Sequence, residues 1–283
     1  MAQRVTTGAG LIDRTLIAYA RGPEHPSKIR TIRWLIRRLA AGRVRIHYAS
    51  GTTITIDPAD YIGWAILRTG YYEPASLGLA LRIVAATPGL FVDVGANFGW
   101  YSCAVAAIAR ARVIAIEPDC ANCAALRANL AANGFRNAVI VNVAAGAYFE
   151  AARMIRRAHG NSGTVMIDPG GATGAFEGDW VATAPLDILL GRIVIPPVRP
   201  ILIKIDVEGF EPQVLAGLDF TGPFRPRNII MEYEPALSEA VWGGFAGVQA
   251  FFADRGYEVL NVDGGPVIPG HALTESNIWA RER

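Results

Sequence analysis

The stretch Leu90-Phe91-Val92-Asp93-Val94-Gly95-Ala96-Asn97-Phe98-Gly99-Trp100-Tyr101-Ser102 decides how this chain is read. It predicts a buried strand, a glycine-bearing turn and the start of a helix. A second apolar run, Val113-Ile114-Ala115-Ile116, follows and ends on an acid, Glu117. A strand–turn–helix–strand unit with glycines in the turn and an acid at the second strand's tip is how α/β proteins hold an adenosine. Glycine lets backbone approach a ligand with no Cβ in the way. The acid can accept from two ribose hydroxyls at once.

The turn separates two classes of nucleotide cofactor. A dinucleotide site wants G-x-G-x-x-G, because a pyrophosphate must sit against the helix N-terminus. Here the turn Gly95-Ala96-Asn97-Phe98-Gly99 has two glycines and is preceded by Asp93. An acid and an asparagine beside the turn suit a cationic, amine-bearing ligand, which points to S-adenosylmethionine rather than NAD. The bland alternative is a packing turn with no ligand.

Composition fits a soluble enzyme. At 283 residues and 52% hydrophobic, the chain can bury a large α/β core as one main domain with a smaller elaboration. Its net charge of +2 gives no bulk argument for nucleic acid. Lys28 and Lys204 are the only lysines among 27 basic residues, which with the abundant Ala and Gly reads as GC-rich coding. Cys120 and Cys123 form a C-x-x-C, but there is no second pair and no histidine nearby. A zinc or redox site is disfavoured, no metal is expected, and a reducing cytoplasmic setting fits. The N-terminus lacks an apolar signal region, and no apolar run is long enough to span a bilayer.

The first 70 or so residues differ from the rest. Ten basic residues precede position 50, against only Asp13 and Glu24. From Ser27 to Ala41, Ile29, Ile32, Leu35, Ile36 and Leu39 recur at helical spacing, with Lys28, Arg30, Arg33, Arg37 and Arg38 on the other faces. The basic face reads either as solvated surface or as an interfacial or acidic-partner surface. Val44–Tyr48 and Thr52–Ile56 alternate around Ser50-Gly51 and predict a β-hairpin.

A regular βαβ rhythm follows. Helices are expected at 75–86, 101–110, 120–132 (capped by Asp119) and 236–255. Strands are expected at 91–94, 112–117, 138–143, 201–206, 229–233, 257–261 and 277–280. The Gly- and Pro-rich segment 144–200 reads as strands and loops over the sheet's carboxyl edge, including 164–167 and 180–183.

In an open α/β sheet the ligand crevice lies outside the carboxyl ends of the strands. Asp93, Glu117, Asp206 and Glu232 all stand at or near such ends, with Glu208 just beyond. Methyl transfer to an alcohol needs in-line alignment and a group to take the hydroxyl proton. Asp206 and Glu208 are the candidates for that proton, unless either caps the next helix or pairs with Lys204. His159 is a weaker candidate.

Several motifs in order carry a resemblance. They are Phe91–Ser102, Ile116-Glu117-Pro118-Asp119, Leu126-Arg127-Ala128-Asn129 through Asn133, Leu186-Asp187-Ile188-Leu189, Leu202-Ile203-Lys204-Ile205-Asp206-Val207-Glu208-Gly209-Phe210-Glu211 and Ile230-Met231-Glu232. Together with Gly70-Tyr71-Tyr72-Glu73-Pro74 they resemble the FkbM family of S-adenosylmethionine-dependent methyltransferases over roughly 71–234. The resemblance implies a Rossmann-like, class I methyltransferase sheet of seven mostly parallel strands, the last antiparallel, with helices on both faces. It divides the chain into an N-terminal helical and hairpin extension, 1–70, and a methyltransferase domain, 71–283.

Carried over by position, Gly95, Ala96, Asn97 and Gly99 would hold the methionine end, with Asp93 and Ser102 beside them. Glu117 would take the ribose, and Pro118, Asp119, Asn142, Val143 and Ala144 would surround adenine. Asp206 would face the reacting methyl; Glu73 and Glu232 also match family positions. Where the family often has a histidine two residues after Glu232, this chain has Glu234. The expected activity is O-methylation of a sugar, glycolipid or polyketide-like hydroxyl, with peripheral membrane contact through the basic helix. An N-, C- or RNA methyltransferase and a non-catalytic adaptor of the same fold are the rival readings. Oligomeric state is not legible.

Overall fold

Strands buried on both faces read as continuous apolar runs and belong at the centre of a parallel sheet. The strands β3 (Leu90–Val94) and β10 (Pro200–Ile205) behave so, buried at every position. A computed structural model describes residues 10–40, 42–48, 51–156, 165–167, 179–268 and 273–283. Before β3 come α1 (Leu11–Arg21), α2 (Lys28–Leu39), the hairpin β1 (Val44–Tyr48) and β2 (Thr52–Ile56), α3 (Tyr61–Thr69) and α4 (Pro74–Ala86). Between β3 and β10 lie α5 (Trp100–Ala106), β4 (Arg112–Ile116), α6 (Cys120–Ala132), β5 (Ala138–Val141), β6 (Ala144–Ala145), β7 (Glu150–Arg156), β8 (Val165–Ile167), β9 (Asp179–Ala184) and α7 (Leu186–Ile193). The chain continues through α8 (Glu211–Ala216), β11 (Asn228–Glu232), α9 (Pro235–Trp242), α10 (Phe245–Ala253), β12 (Tyr257–Asn261) and β13 (Asn277–Glu282).

The main sheet has seven strands in the order β12-β13-β11-β10-β3-β4-β5. β11, β10, β3, β4 and β5 run parallel, and β13 is antiparallel to both neighbours. This is the expected class I methyltransferase-like sheet. Alternate residues serve opposite faces: Phe91, Val113 and Leu202 join a core with α1–α6. Val92, Ile114 and Ile203 join one with α7, α8 and α10. Strand order reverses between β3 and β10, which opens a crevice at their carboxyl ends.

The extension shares the first core. Leu16, Ile32 and Ile46 are buried in the same cluster as Phe91. Asn129 and Asn133, one turn apart on α6, bond the edge of β2: each side-chain oxygen accepts from a backbone N–H, Thr55 and Thr53, at 2.8 Å. Tyr48 stacks on Trp100 at 4.4 Å and donates to its carbonyl at 2.8 Å.

Several expectations change. Within α2, Ile29 and Leu39 are half exposed, whereas Lys28 is only 3% exposed and donates to Gly22 O at 2.5 Å. The helix expected at 236–255 is two helices, because Gly243 and Gly244 take φ of 68° and 89°. α1, α3, α7 and α8 were not expected as helices, nor β7 as a strand. The expected strand 138–143 ends at Val141, and the chain passes at Ala144 into a second, four-stranded sheet, β6-β9-β7-β8. His159 and Thr164 lie outside the described residues. No helix among the described residues is long and apolar enough to cross a membrane.

Candidate active site

Gly95 ends β3 in the left-handed region (φ 82°), and a Cβ there would stand 1.8 Å from the Asp206 carbonyl oxygen. Bare backbone is therefore obligatory where the glycine turn meets the end of β10. Asn97, at φ 49°, is a residue type that tolerates this region. Beyond Asp206, Glu208 and Gly209 both have positive φ. The Glu211 carboxylate holds that turn by accepting from Val207 N at 3.0 Å and Gly209 N at 3.3 Å.

These turns wall a cleft at the carboxyl ends of β3, β4 and β10. Asp93, Gly95, Ala96, Asn97, Glu117, Pro118, Ala144, Asp206 and Glu208 all line it. The second sheet adds Ala145 and Ile167, and Ile62, Tyr72, Tyr101, Lys204, Val207 and Phe210 are among its other lining residues. Other expected site residues are not among those that line the cleft. Ser102 donates to Asp93 Oδ2 at 2.5 Å. Gly99 is the N-cap of α5, with φ 96°. Asp119 caps α6 by accepting from Ala121 and Asn122 N–H groups. Asn142 donates to the carbonyls of Glu117 and Pro118 at 2.9 and 2.8 Å, and Val143 follows it at the sheet change.

Glu117 binds the glycine turn directly. Its Oε2 accepts from Asn97 N and its Oε1 from Asp119 N, both at 2.8 Å. Burial pushes its carboxyl up to about 7 against these bonds, and burial likewise takes Asp93 up to about 6. Buried carboxyls raised in this way are common where chemistry or ligands later supply partners.

A second acidic group surrounds one buried cation. Lys204, 1% exposed, pairs with Asp206 at 3.0 Å and lies 3.9 Å from Glu73, with the Tyr101 ring centroid at 5.1 Å. Burial alone would depress its ammonium, but Asp206 and Glu73 outweigh that and hold it above its ordinary range. Glu73 accepts from Tyr101 Oη at 2.7 Å and Asn277 Nδ2 at 2.9 Å. Glu232 lies outside the cleft proper; burial, then the charges of Asp206 and Glu208, push it up to about 9. Glu73, Glu208 and Glu232 line an adjoining cavity.

Lys204, Tyr72 and Tyr101 were missed as site residues. Lys204 stood in the K-I-D-V-E turn as a pairing partner for the acids, and its burial makes it part of the site: both lysines of this arginine-rich chain are buried. In the C-x-x-C, Cys123 donates to Glu117 O at 3.2 Å and Cys120 is exposed. Among the described residues no group of three His, Cys, Asp or Glu is placed to hold a metal ion.

Residues 93–259, more than half of the chain, match the family model described as the methyltransferase FkbM domain. No curated protein matches the chain in sequence. Among solved structures, precorrin-6y C5,15-methyltransferase from Geobacter metallireducens is similar at 14% identity and TM-score 0.40, covering 74% of this chain and 87% of that one. P. horikoshii TYW2, solved with MeSAdo, is similar at 15% and 0.43, covering 91% and 84%. M. jannaschii TYW2, solved with AdoMet, is similar at 11% and 0.40, covering 85% of each. Similarities this distant bear on no question of substrate.

Proposed function

The chain belongs to the FkbM family of S-adenosylmethionine-dependent methyltransferases, and from that premise we propose that it methylates a hydroxyl of a sugar, glycolipid or polyketide-like natural product. The observation that carries the reading is the meeting of Asp206 and Glu208 at one rim, where carboxylates stand beside the cleft's end. S-adenosylmethionine brings an electrophilic methyl on a sulfonium; the chain's own task is to grip, align and take a proton.

The residues fit that cofactor. Gly95, Ala96, Asn97 and Gly99 offer close-approach backbone for the methionine end, with Asp93 and its Ser102 partner attracting a cation. Glu117, held back from ionisation by burial, gains two hydroxyl donors from a ribose. Pro118, Asp119, Asn142, Val143 and Ala144 shape the adenine side, Asp119 and Asn142 acting through the turn they brace. Asp206, oriented by Lys204, faces the reacting centre; Glu73 supports Lys204. Transfer to the hydroxyl oxygen would break the methyl–sulfur bond and release a neutral thioether, S-adenosylhomocysteine; the acceptor's proton passes to a carboxylate, and Glu208 is the base we assign, because it lines both the cleft and the adjoining cavity. Glu232, its carboxyl raised by burial and by the charges of Asp206 and Glu208, forms part of the adjoining cavity's wall.

Methyl-labelled S-adenosylmethionine incubated with neutral glycosides and macrolide alcohols, followed by NMR of the product, tests this reading. A methyl ether supports it; a methyl on nitrogen or carbon overturns it.

A glycolipid acceptor is favoured by the outward face of α2. There Arg30, Arg33, Arg37 and Arg38 surround Trp34, itself 61% exposed. Basic side chains around an aromatic suit an anionic interface. Replacing all four arginines by glutamine should abolish co-sedimentation with phosphatidylglycerol vesicles. Unchanged sedimentation would remove the membrane contact, and steep salt-dependent RNA binding would favour the RNA reading instead.

A further inference from the structure

A second cavity opens beside the cleft, and part of its wall comes from outside the residues that match the family. α3 lines it through Tyr61, Ile62 and Ala65, together with Tyr72, Glu208 and Glu232. Ile62, Tyr72 and Glu208 line both spaces, so the two meet at the rim where the methyl is delivered. We propose that this chamber is the acceptor site, that α3 sets its specificity, and that its occupant is a neutral, hydroxyl-rich ring. The inference rests on the hydroxyl reading above and narrows it.

α3 is built as a fixed wall. Asp60 caps its N-terminus by accepting from Gly63 N at 2.5 Å. Gly63 lies so close to Asp57 that a Cβ would stand 2.0 Å from its carbonyl oxygen. Ile66 and Leu67 are wholly buried in the first core, and Arg21 Nε donates to Leu67 O at 3.2 Å. The helix stops at Gly70, which takes φ 83° as its cap. The opposite face of α3 is thus left to meet a ligand in a set position.

The chamber's chemistry selects the class. Among the described residues no basic side chain lines it, so a phosphate or carboxylate on the acceptor finds no counter-charge there. Its carboxylates are not a bare negative field either. Glu275 is taken up by the Ala75 and Ser76 N–H groups at the start of α4. Glu73 accepts from Tyr101 and Asn277 beside Lys204. What remains is a set of hydrogen-bond acceptors with tyrosine rings between them, which suits hydroxyls on a ring having one apolar face.

Methyl transfer by the full-length protein to a methyl glycoside, its amino-sugar counterpart, a hexose phosphate and a uronic acid tests the class. The neutral glycoside should be methylated about tenfold faster than any charged analogue. Preference for a charged analogue, or no transfer to the neutral one, overturns it. Ala65→Trp fills the chamber from α3 and should cut transfer at least about tenfold while S-adenosylhomocysteine affinity stays within about twofold. Should Ala65→Trp fail to fold, Tyr61→Ala decides, since Tyr61 is 62% exposed. Transfer unchanged in the folded variant sinks the chamber. Absence of cofactor binding by the wild type would instead sink the methyltransferase reading itself.

Discussion

Lys204 Nζ donates to Asp206 Oδ2 at 3.0 Å, both groups belonging to the end of β10. Glu73, from the far side of the crevice, brings its carboxylate to 3.9 Å of the same ammonium. One buried cation therefore ties the segment before α4 to the strand end that faces the cleft. Removing it strands two carboxylates in a poorly hydrated place. Lys204→Met should cost about 3–5 kcal/mol of stability, the usual penalty for breaking a buried pair. Urea denaturation measures it, and Lys204→Arg should not restore the loss.

Glu117→Ala should weaken S-adenosylhomocysteine binding by about 1–3 kcal/mol, the worth of a charged hydrogen-bond acceptor. Ribose hydroxyls donate to the ionised carboxylate, so binding favours deprotonation. Affinity for the wild type should then fall as pH drops through about 7 and level off above it. Calorimetric titration across that range checks both statements. A flat profile would mean that the ribose lies elsewhere.

Glu232 makes a different prediction, on stability. Its folded-state carboxyl is raised to about 9, so the folded protein holds a proton that the unfolded chain has already released. Between the ordinary glutamate range and about 9 the folded state binds more protons, and stability falls as pH rises. Glu232→Gln removes this penalty. The variant should be more stable than wild type by about 1–3 kcal/mol near pH 8, and no more stable near pH 4. Thermal unfolding at the two pH values would detect the crossover.

Asn129→Ala should loosen the extension. The side chain accepts from Thr55 N at 2.8 Å and donates to Phe98 O at 2.9 Å, and it is 1% exposed. Truncation leaves both backbone groups without that partner, at about 1–3 kcal/mol for each buried group. Limited proteolysis should then cut first around the hairpin β1–β2. A cleavage pattern like that of the wild type would show the hairpin to be held by its apolar contacts alone.

Much of the fold was legible because its signals are local. The run at β3, the two-glycine turn and the acid after β4 each sit within a few consecutive residues. They marked β3, the turn and β4, and the structure lines one cleft with the Asp93, Gly95, Asn97 and Glu117 they contain. The helix α3 was not legible, because Tyr61–Thr69 has its buried side set by the core it meets rather than by a clean helical stripe. The break at Gly243-Gly244 was missed because apolar spacing continues on both sides of it, and only backbone conformation divides α9 from α10.

What consecutive residues determine here is the nucleotide-type crossover: apolar runs that must be buried, glycines that must take positive φ, and acids left at strand ends. What tertiary structure alone decided is which of those acids are neutralised and by what. Lys204 meets Glu73 across 131 positions of sequence, Asn129 reaches β2 and Glu275 caps α4. Such partners are chosen by the packing of whole elements, and in a buried site the partner, not the residue type, sets a carboxylate's charge.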